Sequence, residues 1–319
     1  MVKLGSGDHV YEALGDNWGS LPEGWKYQEG TAVAVDSKDN VYVFNRGGHP
    51  IIVYDREGNF LRSWGESVFN GVHGISIDPE DSVYCTDHLD HVVRKFTSDG
   101  KLLMTLGRAG VSGGPTMSGE PFNRPTHTAV DPRNGDIYVA DGYSNARVHK
   151  YSPDGKLLFS WGESGTDPGH FNIVHNIAVD DDGWVYVADR ENRRIQVFDS
   201  RGKFETQWVN LSRAAGVCLG PAGSGLVYVG EYFGGQASNS NATRVGPRVT
   251  IFNTAGEVQA RLSQNPSGVE AGRFYSPHGL AVDSRGDIYV AEVSYAEYGM
   301  HMDPPTELRS FQKLVKVSA

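Results

Sequence analysis

Three histidines stand at one register position of a repeating pattern. Six apolar segments end in Asp or its stand-in: TAVAVD to Asp36, HGISID to Asp78, THTAVD to Asp131, HNIAVD to Asp180, AGVCLG to Gly220 and HGLAVD to Asp283. Five residues before each of these ends stand Thr31, His73, Thr126, His175, Ala215 and His278. Any one histidine alone would be read as bonding a carbonyl or water. Only 11 of 319 residues are histidine, however, so three in one register call for a common cause. Three neutral imidazoles with an open fourth position suit a catalytic zinc better than a structural one, which four protein ligands usually close. Iron, cobalt, manganese or copper can take the same nitrogens. The open position would bind water or a substrate oxygen and lower its pKa. His127 is one residue out of register, and strand alternation turns it away, leaving it at most a supporting role.

The loops after the second strand of each repeat carry further chemistry. They read FNRGGHP with Arg46, TDHLDH with His88, ADGYSNAR with Tyr143 and ADRENRR with Arg190. Arginine can fork onto a carboxylate, and a tyrosine beside a cation loses its proton more readily and can act as a base. Asp141 and Asp189 are read as turn stabilisers, and Arg193 and Arg194 as solvated or paired.

These residues need elements that carry them to one place. Each apolar segment is followed by a short polar turn and a second strand: NVYVFN, SVYCTD, DIYVAD, WVYVAD, LVYVGE or DIYVAE. In the first five repeats a hairpin then follows around a DG, EG, RG or AG turn, as in PIIVYDREGNFLRSWGE. Four antiparallel strands per repeat, six times over, predict an all-β, six-bladed β-propeller spanning residues 1–319 as one domain. The last repeat supplies three strands, and the orphan strand HVYEAL (His9 to Leu14) is expected to complete it, removing an exposed sheet edge. The first strands would line the channel, where alternate blades stand about 120° apart, so three histidines at one height would converge on the axis. Two insertions, EYFGGQASNSNATRVG in blade five and EVSYAEYGMHMDPPTELRS in blade six, are expected to enter the mouth, with Tyr295 and His301 as candidates there.

Composition narrows the partners. Acidic residues outnumber basic ones 39 to 29, for a formal charge of −10. No basic stripe is visible, which disfavours nucleic acid. No apolar run approaches a membrane span, and MVKLGSGDHVYEALGDNW lacks the apolar stretch of a signal peptide, so a cytoplasmic protein acting on a small-molecule or peptide-derived substrate is expected. Cys85 and Cys218 each sit in an apolar strand-like run and read as buried free thiols.

The repeats resemble the NHL family of propellers, most clearly in PGHFNIVHNIAVDDDGWVYVADRENRRIQVF. That family includes enzymes, protein-binding platforms and RNA-binding modules, so the resemblance implies a fold rather than an activity. A narrower resemblance is to peptidyl-α-hydroxyglycine α-amidating lyases, carried in order by FNRGGH, VHGISID, DGYSNAR, IVHNIA, VADREN and SPHGLA. It implies zinc on His73, His175 and His278, Tyr143 as the catalytic tyrosine, and Arg46 and Arg190 as substrate contacts. The reaction implied is cleavage of the carbon–nitrogen bond of a hydroxyglycine-extended amide, releasing an amide and glyoxylate. Around His278 this sequence has Ser276 and Gly279 where that family has methionine and an acid, so its structural calcium is not carried over. Ser144 replaces a cysteine, and the family's disulfides are absent. The alternatives are a metal-dependent hydrolase of a lactone, ester or amide, and a noncatalytic NHL scaffold that binds protein.

Overall fold

A computed structural model describes residues 2–235 and 245–317. The chain opens with the hairpin β1 (Val2–Ser6) and β2 (His9–Ala13). Blade one comprises β3 (Gly30–Val35), β4 (Val41–Asn45), β5 (Ile51–Tyr54) and β6 (Phe60–Trp64). Blade two has β7 (Val72–Ile77), β8 (Val83–Asp87), β9 (Val92–Phe96) and β10 (Leu102–Gly107). Blade three has β11 (His127–Val130), β12 (Ile137–Asp141), β13 (Arg147–Tyr151) and β14 (Leu157–Trp161). Blade four has β15 (Val174–Val179), β16 (Val185–Asp189), β17 (Arg194–Phe198) and β18 (Phe204–Trp208). Blade five has β19 (Arg213–Leu219), β20 (Leu226–Tyr232), β21 (Arg248–Asn253) and β22 (Val258–Leu262). Blade six has β23 (Pro277–Val282), β24 (Ile288–Glu292) and β25 (Phe311–Lys316). The fold class is the six-bladed, all-β propeller that the repeats predict. One α-helix of a single turn, α1 (Ser294–Glu297), interrupts the blade-six insertion.

The aspartates that define the repeat have a structural duty. Asp36 Oδ1 accepts from the N–H groups of Lys38 and Asn40, and Asp180 and Asp283 repeat the pattern two and four residues on. Such a side-chain-closed turn ends the first strand and launches the second without an unsatisfied backbone donor. The other carboxylate oxygen takes the hydroxyl of the buried second-strand tyrosine, as Tyr42 on Asp36, Tyr186 on Asp180 and Tyr289 on Asp283. Blade five has Gly220 instead of the aspartate, and its Tyr228 hydroxyl lies 3.3 Å from that of Tyr11 on β2.

The described residues pack as two compact units, one of residues 2–63, 211–235 and 245–317 and the other of residues 64–210. In the first, β23 packs between β19 and β3, and Tyr11, Phe274, Leu280 and Val290 share one buried cluster. In the second, β11 packs between β7 and β15, with Tyr138, Phe171, Val187 and Phe198 buried together. Strand β2 pairs with β25, with Tyr11 opposite Lys316, so the orphan strand completes blade six as expected. The sequence reading stopped one strand short, because β1 adds a fifth, outermost strand to that sheet. Of the blade-five insertion, residues 236–244 lie outside the described residues.

Tyr11 is fully buried, packs on blade five and anchors the strand that seals the edge of β25. Tyr11→Ala should therefore lower unfolding stability by about 3 kcal/mol in chemical denaturation, the scale of a large-to-small core change.

Candidate metal centre

One contact recurs ahead of every inner strand. The side chain that ends each second strand is buried and accepts from backbone N–H groups leading into the first. Asn45 takes Glu29 N at 3.3 Å, and Asp87 takes Asn70 N and Gly71 N at 2.7 and 2.8 Å. Asp141 takes Asn123 N at 3.0 Å, and Asp189 takes Asn172 N at 2.7 Å. Glu231 takes Ser212 N at 2.5 Å, and Glu292 takes Tyr275 N and Ser276 N at 2.7 and 3.0 Å. Asp141 and Asp189 thus serve the turns, as expected, and Arg194 is paired with Asp189 at 2.8 Å. Burial lifts the Asp189 and Glu292 carboxyls above their ordinary values, against the pull of the N–H groups they hold.

Immediately after these anchors the ladder slips. Pairing jumps from Val72 to Gly74, from Val174 to Asn176 and from Pro277 to Gly279, so His73, His175 and His278 are each the extra residue of a β-bulge. Thr31 and Ala215 occupy bulges of the same kind. A bulged residue is released from the ladder and its side chain is re-aimed. The glycine after the histidine then lets the next inner strand approach. A Cβ on Gly74 would stand 2.5 Å from Thr126 O, and one on Gly279 would stand 2.5 Å from Ala32 Cα. The glycine beside His278 is thus a packing requirement of β23 against β3.

Anchoring fixes the imidazoles. His73 Nδ1 lies 2.6 Å from Thr126 O, and His278 Nδ1 lies 2.6 Å from Thr31 O. A carbonyl can only accept, so in both rings the proton is on Nδ1 and the lone pair on Nε2, as a metal ligand requires. All three histidines are buried.

Within the second unit, His73 and His175 face each other with ring centroids 5.0 Å apart. The Tyr143 hydroxyl lies 2.7 Å from His73 Nε2 and 3.2 Å from His175 Nε2. Gly142 makes this approach possible, since a Cβ there would lie 1.8 Å from Val174 O. His88 joins the group, its ring 5.6 Å from those of His73 and Tyr143 and its Nδ1 2.9 Å from Gly71 O. Two guanidinium carbons lie near the Tyr143 ring centroid: Arg190 at 5.8 Å and Arg124 at 5.6 Å. Arg190 donates Nε–H to Glu191 at 2.8 Å.

Arg124 is a residue the sequence reading missed, because NRP looks like an ordinary turn. Glu29 is another. This buried carboxylate in the first unit accepts from Arg46 at 2.5 Å and from Ala296 N, in α1, at 2.7 Å. Arg46, expected as a substrate contact, is thereby tied to the blade-six insertion. In that insertion Tyr295 is half-buried and His301 exposed. His127 has a buried Nδ1 with no hydrogen-bond partner among the described residues, and burial pulls its pKa down to about 4. Cys85 and Cys218 are free thiols, raised by burial.

Comparison with known proteins places this architecture. The NHL repeat model matches residues 122–151, 171–198 and 274–296. NHL repeat-containing protein 3 of Homo sapiens is 35% identical over 304 residues, covering 90% of this chain and 82% of that protein. The chain belongs to the NHL repeat-containing family. This NHL protein is also 35% identical over 208 residues to peptidyl-alpha-hydroxyglycine alpha-amidating lyase 1 of Drosophila melanogaster, covering 60% of this chain and 36% of that one. It spans well under two thirds of the length of the amidating relatives it matches. Among solved structures, a gluconolactonase of Xanthomonas campestris superposes with a TM-score of 0.60 at 13% identity, over 97% of this chain and 90% of that one, a likeness of fold alone. No helix among the described residues is long and apolar enough to cross a membrane.

Two solution behaviours follow. The neutral form of His127 is favoured in the fold, so the stability it contributes is present above its ordinary value of 6.5 and is lost as pH falls toward about 4. The Tm of the protein should drop more steeply across that window than the Tm of His127→Gln, measured by thermal scans at successive pH values. Ellman's reagent at pH 8 should titrate neither cysteine until denaturant is added.

Proposed function

We propose that this NHL protein is a metal-dependent carbon–nitrogen lyase of the amidating type, acting on an α-hydroxyglycine-type small or peptide-derived substrate. One observation carries the reading: within one compact unit the buried His73 and His175 rings face each other, with the Tyr143 hydroxyl 2.7 and 3.2 Å from their Nε2 atoms, and His278 is the third ligand proposed from the shared register. The donor set fits a transition metal. It offers three imidazoles, two with Nδ1 bonded to a carbonyl so that Nε2 is the ligating nitrogen. Zinc is the metal proposed, and when bound it would act as a Lewis acid toward a substrate oxygen. Relatives named as amidating lyases support the choice of reaction class.

The protein's own residues supply the proton movements. Tyr143 has two guanidinium groups beside its ring, and its oxygen stands beside two of the ligand nitrogens. As base it takes the proton of the substrate's carbinol hydroxyl. The carbinol electron pair closes to the aldehyde carbonyl of glyoxylate while the carbon–nitrogen bond breaks. The amide nitrogen leaves with that bond's electron pair and collects the proton from Tyr143, so the products are the amide and glyoxylate with no further reactant. Arg190 and Arg46 are the candidate cations toward substrate charge.

Metal analysis should find about one equivalent of transition metal in the purified protein and a large loss in His175→Ala. Tyr143→Phe should keep the metal while kcat for glyoxylate release falls by about 10²- to 10⁴-fold, the usual worth of general acid–base catalysis. Turnover of a lactone or ester without glyoxylate from any α-hydroxyglycine would replace the lyase with a hydrolase.

A further inference from the structure

Three arginines bear on the proposed reaction, and they differ in their partners. Arg46 donates to Glu29 and Arg190 to Glu191, each within 2.8 Å. Arg124 has neither an ion pair nor a side-chain hydrogen bond with a described residue, and its Nε is buried without a partner. The residue is half-buried, its guanidinium carbon is 5.6 Å from the Tyr143 ring centroid, and its backbone is fixed on both sides. Arg124 N donates to His91 Nδ1 at 3.0 Å, while Arg124 O accepts from Tyr143 N at 3.4 Å. The segment that carries Tyr143 therefore also holds Arg124.

A guanidinium that has lost part of its water and gained no anion is destabilising as it stands. The cost is offset when a carboxylate arrives, and a planar fork is the group suited to receive one. We infer that Arg124 is the residue that binds the carboxylate of the substrate, and of glyoxylate after cleavage, beside Tyr143. This rests on the lyase reading for the identity of the carboxylate. The cation itself is set by geometry within one compact unit. In this arrangement the carboxylate falls to Arg124, Arg190 and Arg46 being bonded to glutamates and left to meet other substrate charge, and Arg124 selects acids over their neutral analogues.

The test compares the full chain with Arg124→Gln and Arg124→Lys, using N-benzoyl-α-hydroxyglycine, its methyl ester and glyoxylate. For the acid, Arg124→Gln should raise KM roughly 10- to 100-fold, the worth of a charge-assisted hydrogen bond, with a much smaller change in kcat. KM for the ester should hardly move, and Arg124→Lys should recover part of the loss. Glyoxylate binding by calorimetry should weaken in parallel, with the Tm of the unliganded variant equal to or above that of the parent. An unchanged KM for the acid in Arg124→Gln, or equal losses for acid and ester, overturns the assignment and leaves the lyase standing. If the parent cleaves no α-hydroxyglycine, the lyase reading fails, and the glyoxylate titration still decides on Arg124: binding lost in Arg124→Gln supports the anion site, whereas no binding to the parent or equal binding to both overturns it.

Discussion

The structure depends on a buried acceptor at the end of each second strand. Six times over, an Asp, Glu or Asn side chain is withdrawn from water and held against the N–H groups that lead into the inner strand. Burying a carboxylate is tolerable only when its oxygens are satisfied, and here the donors are main-chain groups that would otherwise be orphaned. The same bond fixes where the inner strand begins. Asp87 acts two residues ahead of His73, Asp189 three ahead of His175 and Glu292 two ahead of His278.

Such anchoring makes the bulges tolerable. A slip in the ladder ordinarily leaves a strand end loose, yet each slip here follows directly on a pinned loop. The extra residue is then free of strand pairing but not of position, because its Nδ1 is caught by the carbonyl of the neighbouring inner strand in the cases of His73 and His278. The three histidines consequently sit on strand starts rather than on loops, and that gives the imidazoles a precision that a mobile loop could not.

Much of this was legible in the sequence because the same physics repeats. The terminal aspartates reveal the register since each must close its own turn, and the alternation of apolar residues marks the strands. His73, His175 and His278 emerged from counting back along that register. The closing strand His9–Ala13 was visible as an unpaired apolar stretch, whereas Val2–Ser6, with Gly5 and little apolar content, carries no comparable signal. The bulges left no trace because one extra residue in a pairing does not alter composition. Gly279 looked like a lost acid until the approach of β3 explained it. Arg124 and Glu29 escaped notice because their significance lies in who their neighbours are, and those neighbours come from other segments of the chain.

The pairing of Tyr11 with Lys316 bears on how the molecule is made. In synthesis the hairpin of β1 and β2 is made long before β25, with the strands of blades one to five between them, so it has no sheet to join over all that length of chain. Its edge is a site for mispairing throughout that interval, and the contact that ends the interval has among the longest sequence separations in the chain. Completion of blade six thus rests on a slow, non-local closure, and that is the step where a chaperone would have the most to protect.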